Sequence, residues 1–159
     1  MSVKKIPEGF HSLTPSIVCK NAARAIEFYK EVFNAKEKER LTGPGGLIMH
    51  AELSIGDSML MLCDEIPGMA QAPAGNLLPS YNIFLYLDNV DNTFQRAVQA
   101  GSKIEMALEN QFWGDRYGKV RDPFGHVWGL AQHVEDVPKE ELKRRSEAFL
   151  AQRAKAATT

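Results

Sequence analysis

The stretch FWGDRYGKVRDPFGHVWGLAQH, residues 112–133, decides the fold. Its centre is the tetrapeptide DPFG at residues 122–125, a turn sequence that separates two segments rich in β-forming residues. We therefore predict a terminal β-hairpin. The stretch combines the charged Asp115 and Arg116 with three large amphipathic rings, those of Trp113, Tyr117 and Trp128. Each ring needs both an apolar wall and a hydrogen-bond partner for its polar tip.

Working outward, the same order of elements occurs twice. Asn21 and Asn89 each precede an amphipathic helical segment, 68 residues apart, and each offers a helix N-cap. Gly56 and Asp57 form a two-residue hairpin connection in the first half. We predict strands at residues 12–19, 36–41, 47–55, 58–63, 81–87, 103–108, 116–121 and 126–131. Helices are predicted at residues 22–34 and 90–101.

These elements indicate an α+β fold of two paired βαβββ modules that form a curved mixed sheet around a cup, followed by a C-terminal helix. The predicted division is an N-terminal arm at 1–10, a first module at 11–64, a linker at 65–80, a second module at 81–134, and a C-terminal helix and tail at 135–159. Leu142, Phe149 and Leu150 form a narrow apolar stripe on the last helix, which predicts packing on the parent domain or a dimer contact.

Composition limits the possible functions. Lys and Arg total 19 against 20 Asp and Glu, so no basic surface for nucleic acid or an anionic membrane is expected. The first residues lack an apolar signal core, no span of about 20 apolar residues occurs, and we expect a cytoplasmic protein. Cys19 and Cys63 are predicted to be unpaired, small buried residues.

Three segments together resemble a known superfamily: NAARAIEFYKEVFNA, HAELSIGDSMLML and WGDRYGKVRDPFGHVWGLAQHVEDV. Over residues 12–135 the chain is similar to the vicinal-oxygen-chelate superfamily, which includes glyoxalase I, extradiol dioxygenases, and fosfomycin- and bleomycin-resistance proteins. The PhnB-like, or glyoxalase-like, branch is the most similar. The resemblance implies βαβββ modules that curl around a site, often completed in a homodimer.

The metal-dependent members of that superfamily hold a divalent ion with four His, Glu or Gln side chains, one from each of four strands. By alignment with the motifs, these positions fall at Thr14, Met61, Asn82 and Gly129. Neutral oxygen donors, a thioether and a glycine do not suit a hard catalytic cation. We therefore predict no metal at this position and no cofactor. His50 and Glu52 share one strand face and are the weaker alternative for a metal.

Strand alternation from these four positions predicts which side chains face the cup. Trp113 and Arg116 join the predicted ligand-binding set because an indole and a guanidinium can sandwich a planar ligand. Pairing of Arg116 with Asp115 or Asp122 is the alternative. The predicted ligand-binding residues are Thr14, Ser16, Met61, Cys63, Asn82, Phe84, Tyr86, Trp113, Arg116 and Gly129, and Val127 is predicted to face the cup with them. Leu62, Ile83, Leu85, Trp128 and Leu130 are predicted to face the helices.

We therefore predict a metal-independent binder of a small planar or aromatic molecule, of the sequestration or resistance type. No catalytic residue can be named from the sequence, since no nucleophile and base have a recognisable spacing. The alternative is a metal-dependent lyase, isomerase or dioxygenase with atypical ligands. A third possibility is a structural dimer whose cup is filled by side chains. The expected partners are a small-molecule ligand and a second copy of the chain.

Overall fold

The computed structural model describes residues 3–75 and 78–157. Its elements are β1 (Ser16–Cys19), α1 (Ala22–Phe33), β2 (Lys36–Thr42), β3 (Ile48–Ile55), β4 (Ser58–Asp64), β5 (Ile83–Tyr86), α2 (Val90–Gln99), β6 (Lys103–Asn110), β7 (Asp115–Arg121), β8 (Val127–His133) and α3 (Lys139–Ala156). The predicted arm, linker and tail include residues 1–2, 76–77 and 158–159, which lie outside the described residues.

The strands form two four-stranded sheets, in the orders β1-β4-β3-β2 and β5-β8-β7-β6. In each sheet the first strand pairs in parallel with the last, and the remaining pairs are antiparallel. A parallel pair needs a crossover connection, which α1 and α2 begin. The predicted α+β architecture of two βαβββ modules with a C-terminal helix is confirmed. Strand β1 begins only at Ser16, four residues later than predicted.

Both crossover helices begin at the predicted caps. The side chain of Asn21 accepts a hydrogen bond from the Arg24 amide at 3.0 Å, and that of Asn89 accepts one from the Asn92 amide at 3.0 Å. Each bond satisfies an amide that the first helical turn leaves without an intrahelical partner. Helix α1 ends at Phe33, and the C-cap residue Asn34, with a positive φ of 55°, closes it.

The DPFG segment forms the predicted turn between β7 and β8. One carboxylate oxygen of Asp122 accepts hydrogen bonds from the backbone amides of Phe124 and His126, both at 2.9 Å. Gly125 adopts a φ of 94°, which a side chain would disfavour. Asp122 therefore serves the turn, as its position in the sequence indicates.

The two modules share one hydrophobic core on the helix side of both sheets. Trp128 of β8, 1% exposed, packs on Tyr29 and Phe33 of α1, with ring centroids 5.3 Å and 4.5 Å away. The second carboxylate oxygen of Asp122 accepts from the Tyr29 hydroxyl at 2.7 Å and from the Trp128 indole at 2.9 Å. The prediction that Trp128 lies in the core is confirmed.

The opposite face of each sheet, which we call the open face, is less covered. Along β4 the helix-facing Leu60 and Leu62 are buried, whereas Met59 and Met61 are half-buried. Along β5 the open-face side chains Phe84 and Tyr86 are 45% and 60% exposed. The second sheet thus presents aromatic rings on a surface that the rest of the chain leaves accessible.

Helix α3 lies outside the shared core, and none of its residues is buried. The ring of Phe149 lies 5.1 Å from that of Phe112, and Arg145 bonds Glu135 at 2.7 Å. Leu150 of the predicted apolar stripe is 65% exposed. Among the described helices, α3 included, none has the length and apolar character of a membrane span.

Candidate functional site

Four aromatic side chains meet on the open face of the second sheet: Phe84, Tyr86, Trp113 and Tyr117. The rings of Phe84 and Tyr117 stack with centroids 5.2 Å apart and planes inclined by 12°. Tyr86 lies 5.0 Å from Phe84, and Trp113 lies 5.7 Å from Tyr117 in an edge-to-face contact. Strand alternation explains the grouping, because Phe84 and Tyr86 are two residues apart and Tyr117 stands on the same face of β7. We call these four residues the aromatic site.

A buried carboxylate lies beneath the aromatic site. Asp115, the first residue of β7, is 4% exposed. Its Oδ2 accepts a hydrogen bond from the Tyr86 hydroxyl at 3.0 Å and another from the Trp113 indole at 3.1 Å. The bond to Asp115 raises the pKa of Tyr86 above its ordinary value, because the carboxylate favours the protonated phenol. Two of the four rings are thus held through their polar tips.

The other oxygen of Asp115 belongs to a second array. Its Oδ1 lies 2.8 Å from Nδ1 of His133, and Nε2 of His133 lies 2.9 Å from Oδ1 of Asp136. His133 is about half exposed and Asp136 fully exposed. The hydrogen bonds to Asp136 and then to Asp115 raise the pKa of His133 above its ordinary value. Beside this array, a cleft of about 330 Å³ is lined by Tyr86, Asp88, Gln132 and His133.

Gly129 lies where Asn82 and Tyr117 approach one another. A Cβ at residue 129 would lie 2.5 Å from Nδ2 of Asn82 and 2.9 Å from the Tyr117 hydroxyl. Burial raises the pKa of Tyr117, and the hydrogen bond with Asn82 partly opposes that rise. These two side chains therefore fill the space into which a longer side chain at residue 129 would project.

The predicted ligand-binding residues divide between the two sheets. Thr14 precedes β1, and its hydroxyl donates to the His11 carbonyl at 2.9 Å. Ser16 pairs with Met61 across the β1–β4 ladder, and Cys63 is half-buried on the same face as Met61. The second sheet brings together Asn82, Phe84, Tyr86, Gly129 and, from the loop before β7, Trp113.

Arg116 is placed away from that group. Its guanidinium binds Asp91 of α2, with Nη2 2.6 Å from the carboxylate oxygen Oδ1. Residues 115 and 117 face the open side, so residue 116 must face the helices. The structure therefore separates Arg116 from Trp113, and its partner is neither Asp115 nor Asp122.

The first sheet carries a separate polar pair on its open face. Nε2 of His50 lies 3.2 Å from Oε1 of Glu52. Within residues 3–75 and 78–157, no three His, Cys, Asp or Glu side chains lie together in a way that could hold a metal ion. The four positions that the sequence analysis predicts as equivalent to the family's ligands, Thr14, Met61, Asn82 and Gly129, carry neither imidazole nor carboxylate groups.

Other polar features lie outside the aromatic site. A larger, open cleft of about 1070 Å³ is lined in part by Lys20, Gly45, Asp64 and Glu65. Asp64 already accepts from the Ala22 and Ile48 amides at 2.7 and 2.8 Å. The aromatic site is the better candidate for ligand binding, because its rings and a buried carboxylate converge, whereas the carboxylate of Asp64 in this cleft is already bound to backbone amides.

Sequence reasoning missed the central role of Asp115 and the presence of His133 beside it. Both residues lie in the stretch that decides the fold, and they are directly paired across the β7–β8 ladder. Alternation from Tyr117 would have placed Asp115 on the open face. The hydrogen bond that it accepts from Tyr86 could not be read from spacing, because that bond depends on how β5 lies beside β8.

Comparison with known proteins shows the family of the chain. The sequence pattern of the Glyoxalase/Bleomycin resistance protein/Dioxygenase superfamily matches residues 9–130. An uncharacterized protein of Mycobacterium bovis is 43% identical over 136 residues, which cover 83% of this chain and 90% of the relative.

Solved structures show the same architecture. TioX from Micromonospora sp. ML1 is 26% identical with a TM-score of 0.62, and the match covers 78% of this chain and 99% of TioX. The fosfomycin resistance protein FosX from Listeria monocytogenes, complexed with Mn(II) and sulfate, is 13% identical with a TM-score of 0.60. That match covers 82% of this chain and 95% of FosX, and it shows a shared fold only.

Proposed function

Because the chain belongs to the Glyoxalase/Bleomycin resistance protein/Dioxygenase superfamily, we propose that it binds a small planar or aromatic molecule without a metal. The ligand stacks on the aromatic site of the second sheet. The observation that carries the proposal is the accessible ring pair, with Phe84 45% and Tyr86 60% exposed above a buried carboxylate.

The hydrogen bonding of the aromatic site indicates how it recognises a ligand. The polar tips of Tyr86 and Trp113 are bound to Asp115, and Tyr117 is bonded to Asn82. What remains for a ligand is mainly the ring faces, which favour stacked aromatic partners. Recognition by stacking selects a flat shape rather than a particular pattern of donors and acceptors.

The absence of a metal requirement rests on the donor set. Of the four family positions, Gly129 supplies no side chain, and Asn82 and Tyr117 fill the space beside it. Met61 supplies a thioether and Thr14 a hydroxyl that already donates to the His11 carbonyl. These groups do not make a site for a hard divalent cation, so the proposal assigns the chain to sequestration rather than to metal-assisted chemistry.

We also propose a cytoplasmic homodimer. Apolar side chains outside the aromatic site remain exposed on strands β2 and β6, including Leu41 at 59% and Ile104 at 55%, and a second copy would cover such surface. Cys19 and Cys63 are unpaired, as is usual in reducing compartments. Sedimentation of the full chain tests the dimer, and a purely monomeric species at high concentration would contradict it.

The binding proposal is tested by thermal unfolding with a panel of neutral planar compounds. A ligand that binds only the folded chain must raise the unfolding temperature. The wild-type shift should disappear in Phe84→Ala and persist in Leu150→Ala, an exposed position on α3. Lack of a shift with every compound at high excess would contradict the proposal.

A metal-dependent lyase, isomerase or dioxygenase is the second candidate. It is favoured by the His50–Glu52 pair on an open face, at 3.2 Å. Turnover of a methylglyoxal–glutathione adduct or a catechol, with stoichiometric Zn, Ni, Mn or Fe and loss in His50→Ala, would support it. The same metal content would contradict the first proposal.

A further inference from the structure

Both ring nitrogens of His133 face carboxylates. Nδ1 is 2.8 Å from Asp115 and Nε2 is 2.9 Å from Asp136. An ionised carboxylate can only accept a hydrogen bond, so both ring nitrogens must carry protons for both bonds to exist. The geometry is therefore that of an imidazolium between two carboxylates.

The two carboxylates differ in how they can respond when His133 loses one of its two ring protons. Asp136 is fully exposed and can turn toward water, whereas Asp115 is 4% exposed and cannot. A neutral His133 therefore keeps its remaining proton on Nδ1, facing Asp115, and releases Asp136. The surviving bond is weaker, because its donor is no longer charged.

Asp115 passes that change to the aromatic site. Its Oδ1 faces His133, while its Oδ2 receives the Tyr86 hydroxyl and the Trp113 indole. A carboxylate is rigid and planar, so the direction of one oxygen fixes that of the other. The tips of two of the four rings are thus anchored to a group that His133 orients.

We propose that His133 and Asp136 are positioning residues of the aromatic site, which act through Asp115 on Tyr86 and Trp113 and make binding of the planar ligand tighter while His133 is protonated. The inference rests on the proposed function for its effect on affinity. The predicted effect of His133 on Trp113 can be measured in the free protein and does not depend on the proposed function. The ionisable groups around His133 are Asp115 on β7, Asp136 after β8, and Tyr86 and Asp88 across the adjoining cleft.

The chain contains a matched internal control. Its two tryptophans each donate an indole proton to a buried aspartate, Trp113 to Asp115 at 3.1 Å and Trp128 to Asp122 at 2.9 Å. Only the first aspartate is bound to an accessible histidine. In the ¹⁵N-labelled full chain, the Trp113 indole resonance should therefore shift with pH. The midpoint of that shift should equal the titration midpoint measured from the His133 ring protons, while the Trp128 indole resonance stays in place.

Two exposed substitutions test the route of the effect. His133→Gln should abolish the pH-dependent movement of the Trp113 indole, with the Trp128 indole unchanged as evidence of an intact fold. Asp136→Asn should leave the movement but lower its midpoint, because Asp136 makes the largest contribution to the raised pKa of His133. A Trp113 indole resonance that does not shift with pH, or that still shifts with pH in His133→Gln, would overturn the positioning role.

The effect on affinity is measured with N-phenyl-1-naphthylamine, a neutral fluorescent probe whose charge is constant at neutral and alkaline pH. In the wild-type chain its Kd should rise roughly three- to tenfold as pH passes the His133 midpoint, and it should stay flat in His133→Gln. A pH-independent Kd in the wild type would overturn the coupling. Absence of binding at every pH would overturn the proposed function together with the effect on affinity, while the indole titration would still decide the positioning role.

Discussion

The hydroxyl of Tyr29 donates a hydrogen bond of 2.7 Å to the carboxylate of Asp122, 93 residues further along the chain. Tyr29 belongs to the helix of the first module and Asp122 to the last turn of the second. Burial, followed by the charge of Asp122, raises the pKa of Tyr29 well above its ordinary value. Tyr29 therefore stays protonated as the donor, and its bond joins the two modules.

Tyr29→Phe should destabilise the chain by about 1.5–3 kcal/mol, because it removes one buried donor from a charged acceptor and leaves the ring packing in place. Urea unfolding followed by circular dichroism measures the change. Tyr81→Phe is the matched control, since Tyr81 is 53% exposed, and it should leave the midpoint unchanged. Equal stability of the two variants would show that the bond contributes nothing across the modules.

Gly129→Ala should destabilise the chain by about 1–3 kcal/mol through overpacking. The added Cβ would lie 2.5 Å from Nδ2 of Asn82, a flexible side chain, and 2.9 Å from the hydroxyl of the larger Tyr117. A double variant with Asn82→Ala should recover part of the loss, as double-mutant unfolding would reveal. If Gly129→Ala is as stable as the wild type, the space beside residue 129 is open and could hold a longer side chain.

Trp113→Ala should weaken binding of N-phenyl-1-naphthylamine by roughly tenfold, because it removes one of the four rings of the aromatic site. Arg116→Ala should leave the affinity unchanged, since its guanidinium binds Asp91 on the helix side of the same sheet. Fluorescence titration compares the two variants directly. Loss of affinity in Arg116→Ala alone would mean that the ligand binds on the opposite face from the one proposed.

The stability of the chain should depend on pH through His133. Its pKa is raised in the folded state above the ordinary value of 6.5. The stabilising contribution is therefore complete below pH 6.5 and is lost as pH rises through the folded-state pKa. The difference in unfolding free energy between wild type and His133→Gln should shrink across this interval in parallel urea titrations. A difference that grows with pH would contradict the assignment.

The two cysteines should react at different rates in the folded chain. Burial, and next the charge of Asp122, raises the pKa of Cys19 to about 12, so a fraction of about 10⁻⁴ is thiolate at pH 8. Cys63 is half-buried and its pKa is also raised, by burial and then by Asp64. Ellman's reagent should label Cys63 slowly and Cys19 only after unfolding, with Cys19→Ser and Cys63→Ser identifying each thiol. Rapid labelling of Cys19 in the folded state would contradict its burial.

The elements of the fold could be predicted almost completely because the signals are local. Asn21 and Asn89 cap helices where the sequence indicates, and DPFG turns where its residues favour a turn. The aromatic site was predicted in part, since alternation along β5 places Phe84 and Tyr86 on one face. Arg116 was predicted to bind the ligand together with Trp113 because of its chemistry. Its position on β7, one residue after Asp115, places its side chain on the opposite face of the sheet, where it binds Asp91. The hydrogen bond that Tyr86 donates to Asp115 joins β5 to β7, and such a contact depends on three-dimensional packing.

In the described part of the chain, each of the eight strands finds its hydrogen-bonded neighbours within its own half, and the halves are joined by the shared core and by hydrogen bonds such as those from Tyr29 to Asp122 and from Arg96 to the Val32 carbonyl. In this respect the single chain resembles a heterodimer whose two subunits are joined by a covalent linker. The tether keeps each half at a high effective concentration near the other. The helix-side core around Trp128, Phe33 and Tyr29 then acts as a subunit interface with an aromatic anchor at its centre. A chain cut between β4 and β5 would keep all of its strand pairing, so the two polypeptides have what they need to reassemble as a split protein.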